Sequence, residues 1–177
     1  MATVPAGVDG LDQVRRDQPT VATDGTSLQE LIVGVEVRRT PTHADERGTL
    51  CEIYDLRWGF MEDPLVYAYL VTIRPGQIRG WALHLEQTDR LFLYAGVLKI
   101  VLYDAREDSP THRRVNVFHF GSHDRALLSI PCGVYHAVQN VGDTEAAFVN
   151  LPTRPYEHDD PDKYRLPREN DIIPYRL

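Results

Sequence analysis

Short apolar runs separated by Gly, Pro and polar turns fill the chain from Glu30 to Pro152. Leu31–Arg39, "LIVGVEVRR", alternates apolar with polar positions. Thr49–Leu56, "TLCEIYDL", follows a D-E-R-G turn, and Leu65–Ile73, "LVYAYLVTI", is a β-branched and aromatic run. A period of two sends successive side chains to opposite faces of a strand, so these stretches are expected as strands. Pro75-Gly76 marks a tight turn, because Pro presets one central dihedral and Gly permits positive φ at the next. Arg90–Ala95 and Val97–Asp104 flank Gly96 as the arms of an expected hairpin, and a polar loop, Ala105–Arg114, precedes Val115–Phe120. Further strands are expected at Ala126–Ile130, His136–Val141 and Ala146–Pro152, with no convincing amphipathic helix anywhere. Such a series predicts an all-β jelly-roll barrel rather than an α/β sheet. The closing Tyr164–Leu177 is expected as a turn of helix or a strand covering one end of the barrel.

At 177 residues the chain suits a core large enough to fold without staples. Residues 1–27 lack periodicity and are expected as a mobile arm, followed by a single domain over 28–177 that ends in a solvated acidic segment. The 19 Lys and Arg against 26 Asp and Glu give a formal charge of −7. A chain of that sign lacks the basic stripe that displaces counterions from DNA or RNA, so no nucleic-acid partner is expected. No run approaches the roughly 18 apolar residues of a membrane span, and the N-terminal residues do not form a secretory leader, so a soluble protein with no membrane partner is expected. Cys51 and Cys132 form neither a C-x-x-C pair nor a disulfide framework, which points to a reducing cytoplasm. Dinucleotide, Walker and G-x-S-x-G motifs are absent, and those reaction classes drop out.

Ile130–Asn140, "IPCGVYHAVQN", contains P-x-G-x-x-H-x-x-x-N, which resembles the second motif of the cupin barrels, in which the His points into a cavity. The fold expected is therefore the cupin double-stranded β-helix. Upstream, Ile78–Gly96 places His84, Asp89 and Gly96 at the second His, the acid and the Gly of the first cupin motif, with Ala82 where the first His would stand. His84, Asp89 and His136 make a two-His, one-carboxylate set able to hold a divalent metal, one ligand short of the full cupin set. Taken singly, each His reads as a satisfied core residue. Their places in the matching halves of two motifs favour a shared cavity.

Four segments, "DERGTLCEIY" (45–54), "IRGWALH" (78–84), "YDAREDSPT" (103–111) and "IPCGVYHA" (130–137), follow one another in an order and spacing similar to those of the dTDP-4-keto-6-deoxyglucose 3,5-epimerases, also called dTDP-4-dehydrorhamnose 3,5-epimerases. The resemblance covers about Val33 to Leu151. It implies a nucleotide-sugar isomerase that epimerises C3, C5 or both of a dTDP-4-keto-6-deoxyhexose through an enolate, without a cofactor and as a homodimer. Arg47 and Arg79 then meet the diphosphate or sugar with planar forks that pair two oxygens at once. Glu52 falls where the family places a carboxylate for the thymine base. His84 falls at the general base, a task suited to an imidazole because its pKa lies near the working pH. His136 matches a second pocket His, and Tyr67 and Tyr69, two apart, are expected to face the same way from one strand as binding residues. Arg90 is a further binding candidate.

Three positions depart from the family. Its enolate-stabilising Lys falls on Asp89, whose charge repels an enolate. Its Tyr for reprotonating the opposite face falls on Val149, and only Asp171 of "REND" is offered for the Asp that orients the base His. Two alternatives stand beside the isomerase: a metal-dependent cupin enzyme using His84, Asp89 and His136, and a noncatalytic sugar-nucleotide binder.

Overall fold

Two five-stranded antiparallel sheets build the second of two compact units into which the chain divides, Met1–Glu30 and Leu31–Leu177. The computed structural model describes residues 13–60 and 63–177, so part of the arm expected over residues 1–27 lies outside the described residues. In the described part of the first unit, Val21 and Ser27 form an antiparallel bridge.

In the second unit one sheet runs β1 (Glu36–Arg39), β9 (Ala126–Ile130), β6 (Asp89–Ala95), β11 (Ala146–Asn150) and β4 (Tyr69–Ile73). The other runs β12 (Tyr164–Arg165), β5 (Ile78–Leu83), β10 (Val134–Asn140), β7 (Val97–Asp104) and β8 (Val115–Gly121), and a separate ribbon pairs β2 (Thr42–Asp45) with β3 (Gly48–Cys51). Alternation sorts the side chains. Leu91 and Leu93 of β6, Leu128 and Ile130 of β9 and Phe148 of β11 share one core with Leu98, Ile100 and Leu102 of β7 and Phe118 and Phe120 of β8. The outward residues Trp81, Val101 and Tyr103 pack beneath Ile173, with Tyr175 and Leu177 of the closing segment against them. Phe92, Leu127 and Leu151 form a third cluster with Ile53, Tyr54 and Phe60. This is the all-β jelly roll expected from the strand series. Among the described residues no helix is long and apolar enough to cross a membrane.

Gly96 is not the tip of a hairpin. β6 pairs with β9 and β11, whereas β7 pairs with β10 and β8, so Gly96 is a corner at which the chain passes from one sheet to the other. The corner needs glycine twice over: its φ is 80°, and a Cβ there would lie 2.6 Å from Ala146. Several expected strands are shorter than their apolar runs, among them β1, which covers only Glu36–Arg39 of the Leu31–Arg39 stretch. β4 begins only at Tyr69, because its partner β11 offers five residues, Ala146 to Asn150, to pair with it. β3 ends at Cys51, where its four-residue partner β2 runs out, and a 3-10 turn at Leu56–Trp58 follows.

Candidate active site

The register between β5 and β10 shapes the site. His136 faces Ala82 while Val138 faces Arg79, so two steps along β10 span three along β5. This bulge puts Arg79 and Ala82 in the lining of one cavity although an odd spacing would separate them. Gly80 makes it possible, because a Cβ at its φ of 150° would lie 2.5 Å from that of Ala137. On the other side the Pro131–Gly133 turn leads from β9 in one sheet to β10 in the other, and the Gly133 N–H donates to the His84 carbonyl at 2.8 Å. The two histidine motifs are thereby tied through the backbone. Asn140, the last residue of the second motif, donates from Nδ2 to the carbonyls of Ile73 (2.8 Å) and Thr144 (2.7 Å), fixing the neighbouring corner.

The resulting cavity of about 330 Å³ lies within the range of small-molecule sites. Tyr69, Arg79, Asp89, His136, Asn150, Lys163 and Arg165 supply the polar part of its lining. Asp89 is its electrostatic centre. Its Oδ2 lies 3.3 Å from His84 Nε2 and 3.4 Å from His136 Nε2, and its Oδ1 accepts from Gln87 Nε2 at 2.8 Å. Burial alone would push this carboxyl up. The His84 hydrogen bond and the nearby imidazoles outweigh burial and hold Asp89 well below the usual carboxylate range. Burial likewise pushes His84 down, but the hydrogen bond and charge of Asp89, with the Asp162 carbonyl, carry it above its ordinary value. Burial dominates at His136 and lowers it to about 4 against the opposing pull of Asp89, so this ring is neutral at pH 7.

His84 takes a different place from the one expected of a base in direct contact with substrate. Its Nδ1 meets the Asp162 carbonyl oxygen, its Nε2 faces Asp89, and its ring stands outside the cavity lining, where His136 and Asp89 face the open space. Arg90 is corrected outright as a binding residue. Strand alternation turns it away from Asp89, and its guanidinium, buried, donates to the carbonyls of Leu151, Pro152, Asp63 and Pro64. Arg47 and Glu52 do not line this cavity either. Arg47 occupies the ribbon's tip, exposed and paired with Asp45, and Glu52 is exposed just past β3. Tyr67 precedes β4 instead of sharing its strand with Tyr69, although the two rings still meet at 5.4 Å. Tyr69 is in the cavity wall, where its phenol oxygen accepts from Asn150 Nδ2 at 2.8 Å. Burial, and then the charge of Asp89, push its pKa up and keep it protonated.

Val149, offered for the family's Tyr, packs with Phe92, Leu127 and Leu151 outside the inner core, while its neighbours Phe148 and Asn150 line the cavity. Asp171 is exposed. The aspartate that meets His84 is Asp162: besides its carbonyl on His84, its carboxylate accepts the N–H groups of Leu85 (2.8 Å), Glu86 (2.8 Å) and Gln87 (2.9 Å). Asp162, Lys163 and Arg165 escaped the sequence reasoning because they lie in a segment whose charge suggested only solvation. A two-residue strand is too short to leave a periodic signal. The ligating atoms of His84, Asp89 and His136 lie within 4.8 Å of one another, close enough for a shared metal ion.

A family model described as dTDP-4-dehydrorhamnose 3,5-epimerase matches residues 29–171. The chain is 38% identical over 135 residues to the probable low-salt glycan biosynthesis epimerase Agl13 of Haloferax volcanii, spanning 75% of this chain and 86% of that protein. It is 33% identical over 143 residues to the spore coat polysaccharide biosynthesis protein SpsL of Bacillus subtilis, spanning 81% and 94%. Among solved structures, a dTDP sugar isomerase from Desulfovibrio desulfuricans G20 matches with a TM-score of 0.76 at 25% identity, over 81% of this chain and 90% of that one.

Proposed function

We infer the reaction from one premise: this chain belongs to the dTDP-4-dehydrorhamnose 3,5-epimerase family and is an isomerase. We propose that it epimerises C3, C5 or both of a dTDP-4-keto-6-deoxyhexose through an enolate. The observation that carries this reading is the convergence on one cavity of Asp89 and His136, with His84 behind them, and of three cations, Arg79, Lys163 and Arg165.

The keto group acidifies the hydrogens on the carbons beside it. His136, neutral and facing the cavity, takes such a proton, and the Asp89 carboxylate at 3.4 Å stabilises the imidazolium that forms. His84, gripped by Asp162 and Asp89, keeps that carboxylate ionised, so the three groups act as one coupled unit. Inversion needs a donor elsewhere in the cavity, since return of the same proton restores the starting sugar. Tyr69 is that donor: Asn150 supplies a hydrogen to its oxygen, leaving the phenolic proton free to be given to carbon. Arg79 and Arg165 hold the diphosphate. A divalent metal is disfavoured by the same cations, which oppose further positive charge in the cavity.

The protein works in the cytoplasm as a homodimer on this reading. The ribbon, with Leu50 62% exposed at β3, is the element that meets the second copy and brings Arg47 and Glu52 to its substrate. Sedimentation of Leu50→Asp as a monomer supports that arrangement, and an unchanged dimer counts against it. The reaction is tested by proton NMR with dTDP-4-keto-6-deoxyglucose in D2O. Loss of the H3 or H5 signal, abolished in His136→Gln, is the expected result. Retention of both signals with wild-type protein overturns the isomerase reading.

A further inference from the structure

An enolate formed in this cavity lies near Asp89, and two negative charges at close range in a poorly hydrated site repel strongly. The position that the family gives to a Lys is itself the source of that repulsion. The offsetting charge must come from elsewhere, and the sheet register shows where. Arg165 of β12 pairs with Ala82 of β5, and Ala82 pairs with His136 of β10. One row across three strands thus carries a guanidinium, a methyl group and an imidazole, all in the cavity wall. The small Ala82, standing where a metal-binding cupin has a His, leaves the middle of the row open.

Lys163 stands two residues before Arg165 in extended chain, so both face the cavity while Tyr164 between them points out, 51% exposed. Asp162 anchors this segment by its three backbone contacts to Leu85, Glu86 and Gln87. Lys163 is half-buried, and burial followed by the charge of Arg165 pushes its pKa down, against the pull of Asp89. An ammonium with little water around it gains most from an anion placed beside it. Arg79, by contrast, already spends its Nε–H on the Thr72 carbonyl at 3.4 Å.

Resting on the isomerase reading, we propose that Lys163 is the catalytic cation that stabilises the enolate oxygen, supplied by the C-terminal segment in place of the barrel-strand Lys whose position Asp89 occupies. The proton leaves carbon for the base, the carbonyl oxygen becomes the enolate oxygen and accepts an N–H bond from Lys163, and the ammonium keeps its charge throughout.

The test uses the full chain with dTDP-4-keto-6-deoxyglucose in D2O, comparing wild type, Lys163→Met and Lys163→Arg, with dTDP titrated separately as a measure of nucleotide binding. In Lys163→Met, deuterium incorporation falls about 10²–10³-fold while dTDP affinity stays within about threefold, and Lys163→Arg recovers part of the rate. Incorporation in Lys163→Met within about threefold of wild type overturns the assignment. A parallel loss of dTDP affinity of about tenfold or more also overturns it, by making Lys163 a diphosphate ligand. Absence of exchange in wild type sinks the isomerase reading and Lys163 with it, whereas exchange in wild type that survives the substitution sinks Lys163 alone.

Discussion

Two aspartates are buried in this barrel, and both are held well below the usual carboxylate range, yet they stand in opposite situations. Asp104, fully buried at the end of β7, accepts from Arg106 Nε (2.8 Å) and Nη2 (2.9 Å), Ser109 Oγ (2.6 Å) and Thr111 Oγ1 (2.6 Å). All these donors belong to the loop that joins β7 to β8, and none gives up a proton near neutral pH. Asp89 is shared between two imidazoles and opens onto a cavity. A depressed carboxyl therefore does not itself mark chemistry. Partners that can exchange protons, and an open side for a substrate, do.

The comparison breaks most visibly at Asp89. Asp89→Asn keeps the shape and removes the charge that stabilises the His136 imidazolium, so solvent exchange into substrate falls about 10³-fold or more, a loss of activity larger than its loss of stability. The matching change at Asp104 reverses the pattern. Asp104→Asn leaves the Arg106 guanidinium without its counter-charge and destabilises the fold by about 3–4 kcal/mol in urea unfolding, while the folded fraction retains its exchange rate. Equal losses of activity in the two variants, with stability unchanged in both, would show that the distinction between the sites is wrong.

Sequence reasoning handled these two sites unevenly. The jelly roll was legible because alternation and turn residues are local signals, and the P-x-G-x-x-H turn announced the placement of His136. The meeting of His84, Asp89 and His136 was legible as spacing within two motifs. The direction of the chain at Gly96 was not, because a hairpin and a corner between sheets use the same glycine; only the pairing of β6 and β7 with different partners separates them. Arg90 holds backbone carbonyls instead of a ligand, and the strand alternation that turns it away from Asp89 is a local signal. Asp162 and Lys163 lay beyond local signals altogether, since their roles come from a contact with the loop after His84, 75 or more residues away in the chain. The network at Asp104 shows in the sequence only as part of a family-like segment, because its closure by hydroxyls and an arginine depends on how the β7–β8 loop folds back.

Stability against pH sharpens the same contrast, because imidazoles and carboxylates act in different windows. His136 has a folded pKa of about 4, below the roughly 6.5 of an unfolded chain. Between those values the unfolded chain binds a proton that the folded one refuses, so stability falls as pH drops through the window, by on the order of 3 kcal/mol in total. His84 is shifted the other way. Its contribution is complete below the unfolded pKa and is lost as pH rises through the higher folded value, so the two histidines together stabilise most near pH ~6.5. Asp89 and Asp104, both depressed, contribute above roughly pH 4 and lose that contribution as pH falls through their folded values. Urea midpoints measured from pH ~3 to ~8 separate these effects. His136→Gln flattens the slope between pH ~4 and ~6.5, and Asp104→Asn alters only the limb below it. A wild-type profile already flat between pH ~4 and ~6.5 would mean that His136 is not held neutral in the barrel, and the base would then have to be sought in a different member of the triad.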